Sequence, residues 1–237
     1  MDIDRTRLPA DQLTNVTKMI TVVEENVRDL LHVERVIFTI LWMYIARASA
    51  PVTANNLKQR PMVIKATMDK LIYKRLIWFD NDLRAVLQCP PFSALHTAHE
   101  VKAFGWEAAH VCSFIDAPLA LLIYGPNTWL NVQSTCPRSG EVLNYQVLLD
   151  SNQQLQIKAP AKAADWCVWI PNTEDGILPL ETSGLRSRIN AFHTEADYQT
   201  YEHYHAEFVT GTLYTLPQAI YLSECLLRAY QQALADQ

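Results

Sequence analysis

Residues 106–125, WEAAHVCSFIDAPLALLIYG, place the tightest constraint on how this chain can fold. The stretch is apolar enough to require burial on most sides, yet it carries Cys112, Ser113 and Asp116. Read as a helix, it puts Cys112 and Asp116 four apart and Ser113 and Asp116 three apart, so either pair shares a face. A carboxylate in apolar surroundings loses hydration and must find a partner or a proton. A thiol or hydroxyl beside such an acid is a candidate reaction centre. The plainer alternative is a core helix with one buried cysteine and an aspartate that hydrogen-bonds locally.

A core able to bury this stretch is within reach. The chain has 237 residues, 49% of them hydrophobic and 19% charged, enough for one large domain or two small ones and unlike a globally disordered chain. A net charge of -5 argues against a protein that coats nucleic acid, although it permits a local basic patch. The five cysteines (Cys89, Cys112, Cys136, Cys167 and Cys225) are odd in number, widely spaced and without a CxxC pair. That pattern disfavours a disulfide framework or a zinc ribbon. The first residues, MDIDRTRLPADQ, contain no apolar core of a secretory signal, and the longest apolar run, residues 36–46, is too short to span a membrane. The expectation is a soluble, cytoplasmic protein with reduced thiols.

Before the central stretch, the segment order is informative. Leu13, Val16, Ile20, Val23, Val27 and Leu30 recur at helical spacing, and residues 34–46 read as a strongly apolar helix ended at Ser49–Ala50–Pro51. Thr53 can cap a short helix, and Pro61 suits the start of a second over residues 62–75, with Val63, Ala66, Met68, Leu71 and Ile72 inward. Residues 76–79 and 84–88 read as strands joined at Asp80–Asn81–Asp82. Helices followed by a two-stranded wing is the order of a winged helix-turn-helix. Between Thr53 and Arg75 stand six basic residues (Lys58, Arg60, Lys65, Lys70, Lys74, Arg75) against one acidic residue, Asp69. The second helix offers no cluster of Asn, Gln or Arg to read base edges, so any DNA contact should be weak, salt-dependent and directed at phosphate. The alternative is a packing module with a solvated basic face.

After the Pro90–Pro91 connector, His96 and His99 have no third ligand close by, and no metal site is expected there. Residues 128–134 and 141–149 read as strands around a turn at 136–140, with further strands at 155–157 and 166–170. Residues 173–186 read as a long loop, 189–192 as a short apolar segment, 195–205 as a polar helix and 216–235 as a final amphipathic helix. A glycine-rich phosphate loop and a GxSxG elbow are both missing, and no cofactor is implied. The expected fold is α+β, with a winged-helix-like part over residues 1–92 and a mixed sheet-and-helix core over 93–237.

Four short stretches carry a resemblance to the organomercurial (alkylmercury) lyase family: PVTANNL at the start of the helix-turn-helix, Phe114–Ile115–Asp116 with the apolar run to Gly125, STCPRSGEVLNYQV, and FHTEADYQTY. The resemblance implies a winged-helix-like first part, a mixed core, and a site in which two cysteines hold mercury while an aspartate supplies the proton. Asp116 matches the proton donor, and Cys136 matches a mainly structural cysteine. The first mercury-holding cysteine falls at Ser113, with Cys112 one residue off; the late one falls near Arg186 or Ser187. Cys167 could serve only with a shifted strand. Mercury is soft and prefers thiolates, so a hydroxyl is a poor replacement. An Arg186 facing Asp116 would suit a carboxylate-bearing organic ligand. Asp116, Ser113, Cys112 and Cys167 are therefore the catalytic candidates, and Arg186 and Ser187 the ligand-binding ones. Two expectations follow: a lyase-like protein or small-ligand-binding relative with weak or no carbon–mercury cleavage, or a DNA-binding regulator whose core senses a ligand.

Overall fold

In the computed structural model, residues 6–172, 185–205 and 210–235 are described. The loop expected at 173–186 lies mostly outside them, as do the side chains of His203 and His205.

Two helices lead the chain. Helix α1 (Ala10–Arg28) follows Pro9 and buries Val16, Met19, Ile20 and Val27. Helix α2 (His32–Ala48) buries Ile37, Phe38, Leu41, Trp42, Ile45 and Ala46. Pairs of neighbours repeating every four residues keep one broad face inward. Glu34 starts α2 by accepting from the Leu31 N–H at 2.7 Å, which satisfies one of the donors a helix start leaves open. The chain then runs through β1 (Val52–Thr53), a single 3-10 turn (Ala54–Asn56), α3 (Pro61–Tyr73), β2 (Trp78–Asp80) and β3 (Ala85–Cys89). The expected helix after Thr53 is only that one turn. In α3 the buried residues are Ile64, Thr67 and Leu71, whereas Ala66 and Ile72 are exposed, so the inward face is rotated from the expected one. The residues at i, i+3 and i+7 still define a single stripe.

Strand β3 runs into the core. It pairs β1 on one side and β2 on the other, and at its end Gln88 and Cys89 pair Ser93 and Phe92 of β4 (Phe92–Ser93). The sheet continues through β6 (Ala109–Val111), β5 (His99–Ala103), β7 (Leu130–Thr135), β8 (Val142–Leu149) and β9 (Leu155–Lys158), with every pairing antiparallel. One sheet therefore crosses residue 92. Side chains along β7 alternate buried and exposed, as a strand with one covered face requires. A second sheet, in the order β11 (Ala191–Phe192), β10 (Cys167–Pro171), β12 (Gly211–Thr215), precedes the last helix. Helix α5 (Glu195–His205) lies between β11 and β12 in sequence, and α6 (Leu216–Ala235) packs against α1 and the turns before α4 (Leu121–Tyr124). None of the described helices is long and apolar enough to cross a membrane.

Residues 106–125 are the main departure from the sequence reading. They form β6, two 3-10 turns (Phe114–Asp116 and Pro118–Ala120) and the four-residue α4, instead of one helix. Pro118 cannot continue an α-helical ladder. Tertiary bonds hold the segment in place: the Cys112 N–H donates to the Pro91 carbonyl at 2.9 Å, the Phe114 N–H donates to the Ile189 carbonyl at 3.1 Å, and Ser223 of α6 donates to the Ile115 carbonyl at 2.9 Å.

Candidate functional site

The 3-10 geometry preserves one expected pairing and removes the other. Residues three apart eclipse in a 3-10 turn, so Ser113 and Asp116 share a side. The Ser113 hydroxyl donates to Asp116 Oδ2 at 2.5 Å, and both residues are fully buried. Cys112 instead follows directly after β6, and its thiol donates to the Phe92 carbonyl at 3.2 Å. The i, i+4 relation with Asp116 existed only on the expected helix.

Arg186 completes the pair. It sits on a 3-10 turn (Leu185–Arg188), where its Nε donates to Asp116 Oδ2 at 2.9 Å and its Nη2 to Asp116 Oδ1. This is the fork-to-fork geometry in which a guanidinium binds a carboxylate most selectively. Burial opposes the charge on Arg186, but the Asp116 carboxylate outweighs it and raises the guanidinium pKa. Ser187 is half-buried beside it in the chain.

The cysteines fall into two neighbourhoods. Cys112 and Cys89 are both buried and close enough to influence one another, near Asp116 and Arg186. Burial above all pushes both thiols well above their usual range, so they are neutral and weakly nucleophilic at physiological pH. Cys167, on β10, has Glu195, Cys136 and Asp197 for neighbours, and burial raises its thiol to about 11. Cys112 and Cys167 are therefore not brought together as a thiol pair. Cys136 is fully buried where β7 turns into β8, its N–H bonded to the Glu141 carbonyl at 2.9 Å.

Sequence reasoning passed over two site residues. His99 lies on an inward position of β5, 1% exposed, with Nδ1 2.8 Å from the Ser134 hydroxyl. Burial lowers its pKa to about 4, although the nearby Asp116 carboxylate pulls the other way. Its Nε2 closes no hydrogen bond of ordinary geometry, with Asn190 and the Ile189 backbone beside it. The alternation of HEVKA was the available signal, since residue 99 shares a face with Val101 and Ala103. Tyr230 of α6 is buried, which pushes its hydroxyl above the usual range, and it lies close to Arg186 and Asp116. Only the tertiary fold shows that helix 216–235 reaches the site.

Taken together, an antiparallel sheet with helices segregated from it and a polar cluster buried between them define an α+β protein. Its architecture is MerB-like: the structure resembles the crystal structure of the mercury-bound form of MerB2, with a TM-score of 0.66 and 16% identity, over 90% of this chain and 99% of that one. No protein-family model matches the sequence, and no curated protein matches it.

Proposed function

We propose that this protein is an alkylmercury-lyase-like protein that binds a small polar organic ligand and cleaves carbon–mercury bonds weakly or not at all. The observation that carries the reading is the state of Asp116. Both of its oxygens accept from Arg186, and one also accepts from Ser113. These three bonds occupy most of the carboxylate's acceptor positions, about four in all, and leave it little room to act on a departing carbon. Ser113 and Arg186 stand where the sequence resemblance implies mercury-holding thiols, and the nearest cysteines, Cys112 and Cys89, are buried and neutral. The soft-metal grip is thus replaced by a hydroxyl, a carboxylate and a guanidinium, a set that selects oxygen- or nitrogen-bearing organic groups. Asp116, Ser113 and Arg186 would orient the ligand, with Ser187 at the edge. The likeness to mercury-bound MerB2 supports a shared fold, and a fold by itself does not carry chemistry.

The test is release of inorganic mercury from an aryl- or alkylmercury compound in excess thiol. Wild type and Ser113→Cys should both stay near the background of thiol alone. Rapid release by the wild type, abolished by Cys112→Ala or Cys167→Ala, would overturn the proposal.

A second reading rests on the order α2, β1, 3-10 turn, α3, β2, β3, which we propose is a winged-helix-like unit within residues 1–92, ahead of a lyase-like core over 93–237. Lys58, Arg60 and Lys65 are exposed on it. Lys70 and Lys74, however, are turned to Glu34 and Asp29 at 2.8 Å each. At least two of the six basic side chains are therefore committed within the protein, and DNA affinity should be low and lost with salt. Tight, sequence-selective binding at physiological salt would favour the regulator instead.

A further inference from the structure

A groove runs between one side of α3 and the strands β1, β3 and β2. Its floor is a cross-strand row. Val52 of β1 lies opposite Val86 of β3, which lies opposite Phe79 of β2, and all three line the groove. Residues directly opposite in an antiparallel pair share a face, so the row is one apolar strip. The facing wall is helical. Pro61, Ile64, Lys65, Met68 and Ile72 line it from α3, a spacing that marks a single side of the helix. From Pro61 to Ile72 that side is about 16 Å long at the usual helical rise. The groove has a volume of about 950 Å³.

Charge and exposed apolar surface say what fits there. Lys58, Lys65 and Arg84 line the groove and are exposed, with Asp69 the acidic residue among the described lining residues. Nearby ion pairs use Lys70 and Lys74 instead, with Glu34 and Asp29. Lys70 lies on the opposite side of α3. Lys58, Lys65 and Arg84 form no ion pair among the described residues. In the groove itself Ile72 is 41% exposed, and Met62 and Tyr73 of α3 and Leu83 before β3 are more exposed still. Exposed apolar surface rimmed by charge marks an interaction site. Nucleic acid fits it poorly, because protein–DNA interfaces are polar and strongly positive, whereas this floor is apolar. A single small anion would leave much of it unfilled, since the volume is at the top of the range for ligand pockets, roughly 300–1,000 Å³.

We infer that this groove receives an acidic amphipathic helix of a partner protein, its apolar side on the Val52–Val86–Phe79 strip and its carboxylates toward Lys58, Lys65 and Arg84. Helices recognised in grooves present anchors at i, i+3 or i+4, and i+7. Those anchors span roughly 10 Å, which the length of the α3 wall accommodates. Lysine and arginine stems can lie along the apolar wall while their charged ends meet the acids at the rim. Opposite charge at the rim then selects which amphipathic helices bind. The surface is separate from Asp116, and the inference stands independently of the ligand-binding function proposed above.

Fluorescence anisotropy on the full chain tests this with three labelled peptides about five helical turns long. The first has leucines on one helical face and glutamates on the other. The second carries lysine in place of glutamate, and the third has the composition of the first with its spacing scrambled. The first should bind saturably and about tenfold more tightly than either control. Lys65→Glu combined with Arg84→Glu should reverse the preference toward the lysine peptide, a change that loss of stability cannot produce. Ile72→Asp, at a position already partly exposed, should weaken the glutamate peptide about tenfold with the melting temperature little changed. Absence of binding, equal binding of all three peptides, or binding untouched by these substitutions would overturn the inference. So would a DNA duplex that binds more tightly than the glutamate peptide, or a dimer of the chain that Ile72→Asp dissociates, since either would give the groove a different occupant.

Discussion

Two aspartates in this protein hold basic side chains, and they do so in opposite environments. Asp116 is fully buried against an Arg186 whose side chain is 10% exposed, whereas Asp29 is 63% exposed and holds Lys74 and Lys70 at the surface. The chemistry of the pairs is alike, but the energetics differ. At the surface, water and salt screen the attraction, and ordering two side chains offsets much of it. In the interior, both charges have given up hydration, and each depends on the other. A buried pair is therefore weak evidence for stability but good evidence for a specified site, because neither half is tolerated alone.

The largest expected effect lies at Arg186. Arg186→Gln leaves the Asp116 carboxylate uncompensated and should cost about 3–5 kcal/mol in urea denaturation. If the pair specifies a site and is not itself a net source of stability, Asp116→Leu combined with Arg186→Met should recover most of that loss. A double variant as unstable as Arg186→Gln would break the comparison.

His99 adds a pH test of the same buried region. Its folded pKa, about 4, lies below the ordinary value of 6.5, so the native state binds the proton less readily than the unfolded chain. Its neutral form contributes stability that is fully present above about pH 6.5 and is lost as the pH falls toward 4. The loss across that window should be of order 3 kcal/mol, and His99→Gln should flatten it. Denaturation midpoints at several pH values measure this; an unchanged pH slope in the variant would remove His99 from the site's electrostatics.

Ser113→Ala should cost about 2 kcal/mol, within the range for a hydrogen bond to a charged group. A double-mutant cycle with Asp116→Asn should show most of that loss as coupling. Independent effects of the two substitutions would separate the hydroxyl from the carboxylate.

The smallest effect belongs to the surface pair. The lysines, Lys74 foremost, hold the exposed Asp29 carboxyl below its usual range. Asp29→Asn should shift the melting temperature far less than any substitution at Arg186, and high salt should erase the difference. A salt-resistant loss comparable to that at Arg186 would show that exposure does not separate the two pairs.

Much of the architecture was legible because it follows local rules. Alternation in residues 141–149 and helical spacing in 216–235 gave β8 and α6 nearly at their observed bounds. The central stretch was misread because apolar density does not distinguish a buried helix from a strand followed by tight turns. Pro118 was the available warning. The juxtaposition of Ser113 and Asp116 survived that error because residues three apart meet in either kind of turn.

The sequence by itself determined the α+β class and the burial of the apolar stretch within residues 106–125, and it narrowed the partner of Asp116 to Ser113 or Cys112. Each depends on neighbours within a few residues, where spacing fixes direction. Only the tertiary structure decided that Arg186, seventy positions on, closes on Asp116. It also decided that His99 lies near the same carboxylate, and that Cys112 and Cys167 lie in separate neighbourhoods. Those outcomes depend on how 3-10 turns, an interior strand of the long sheet and the second sheet pack together, and packing across such separations leaves no periodic mark in a single chain.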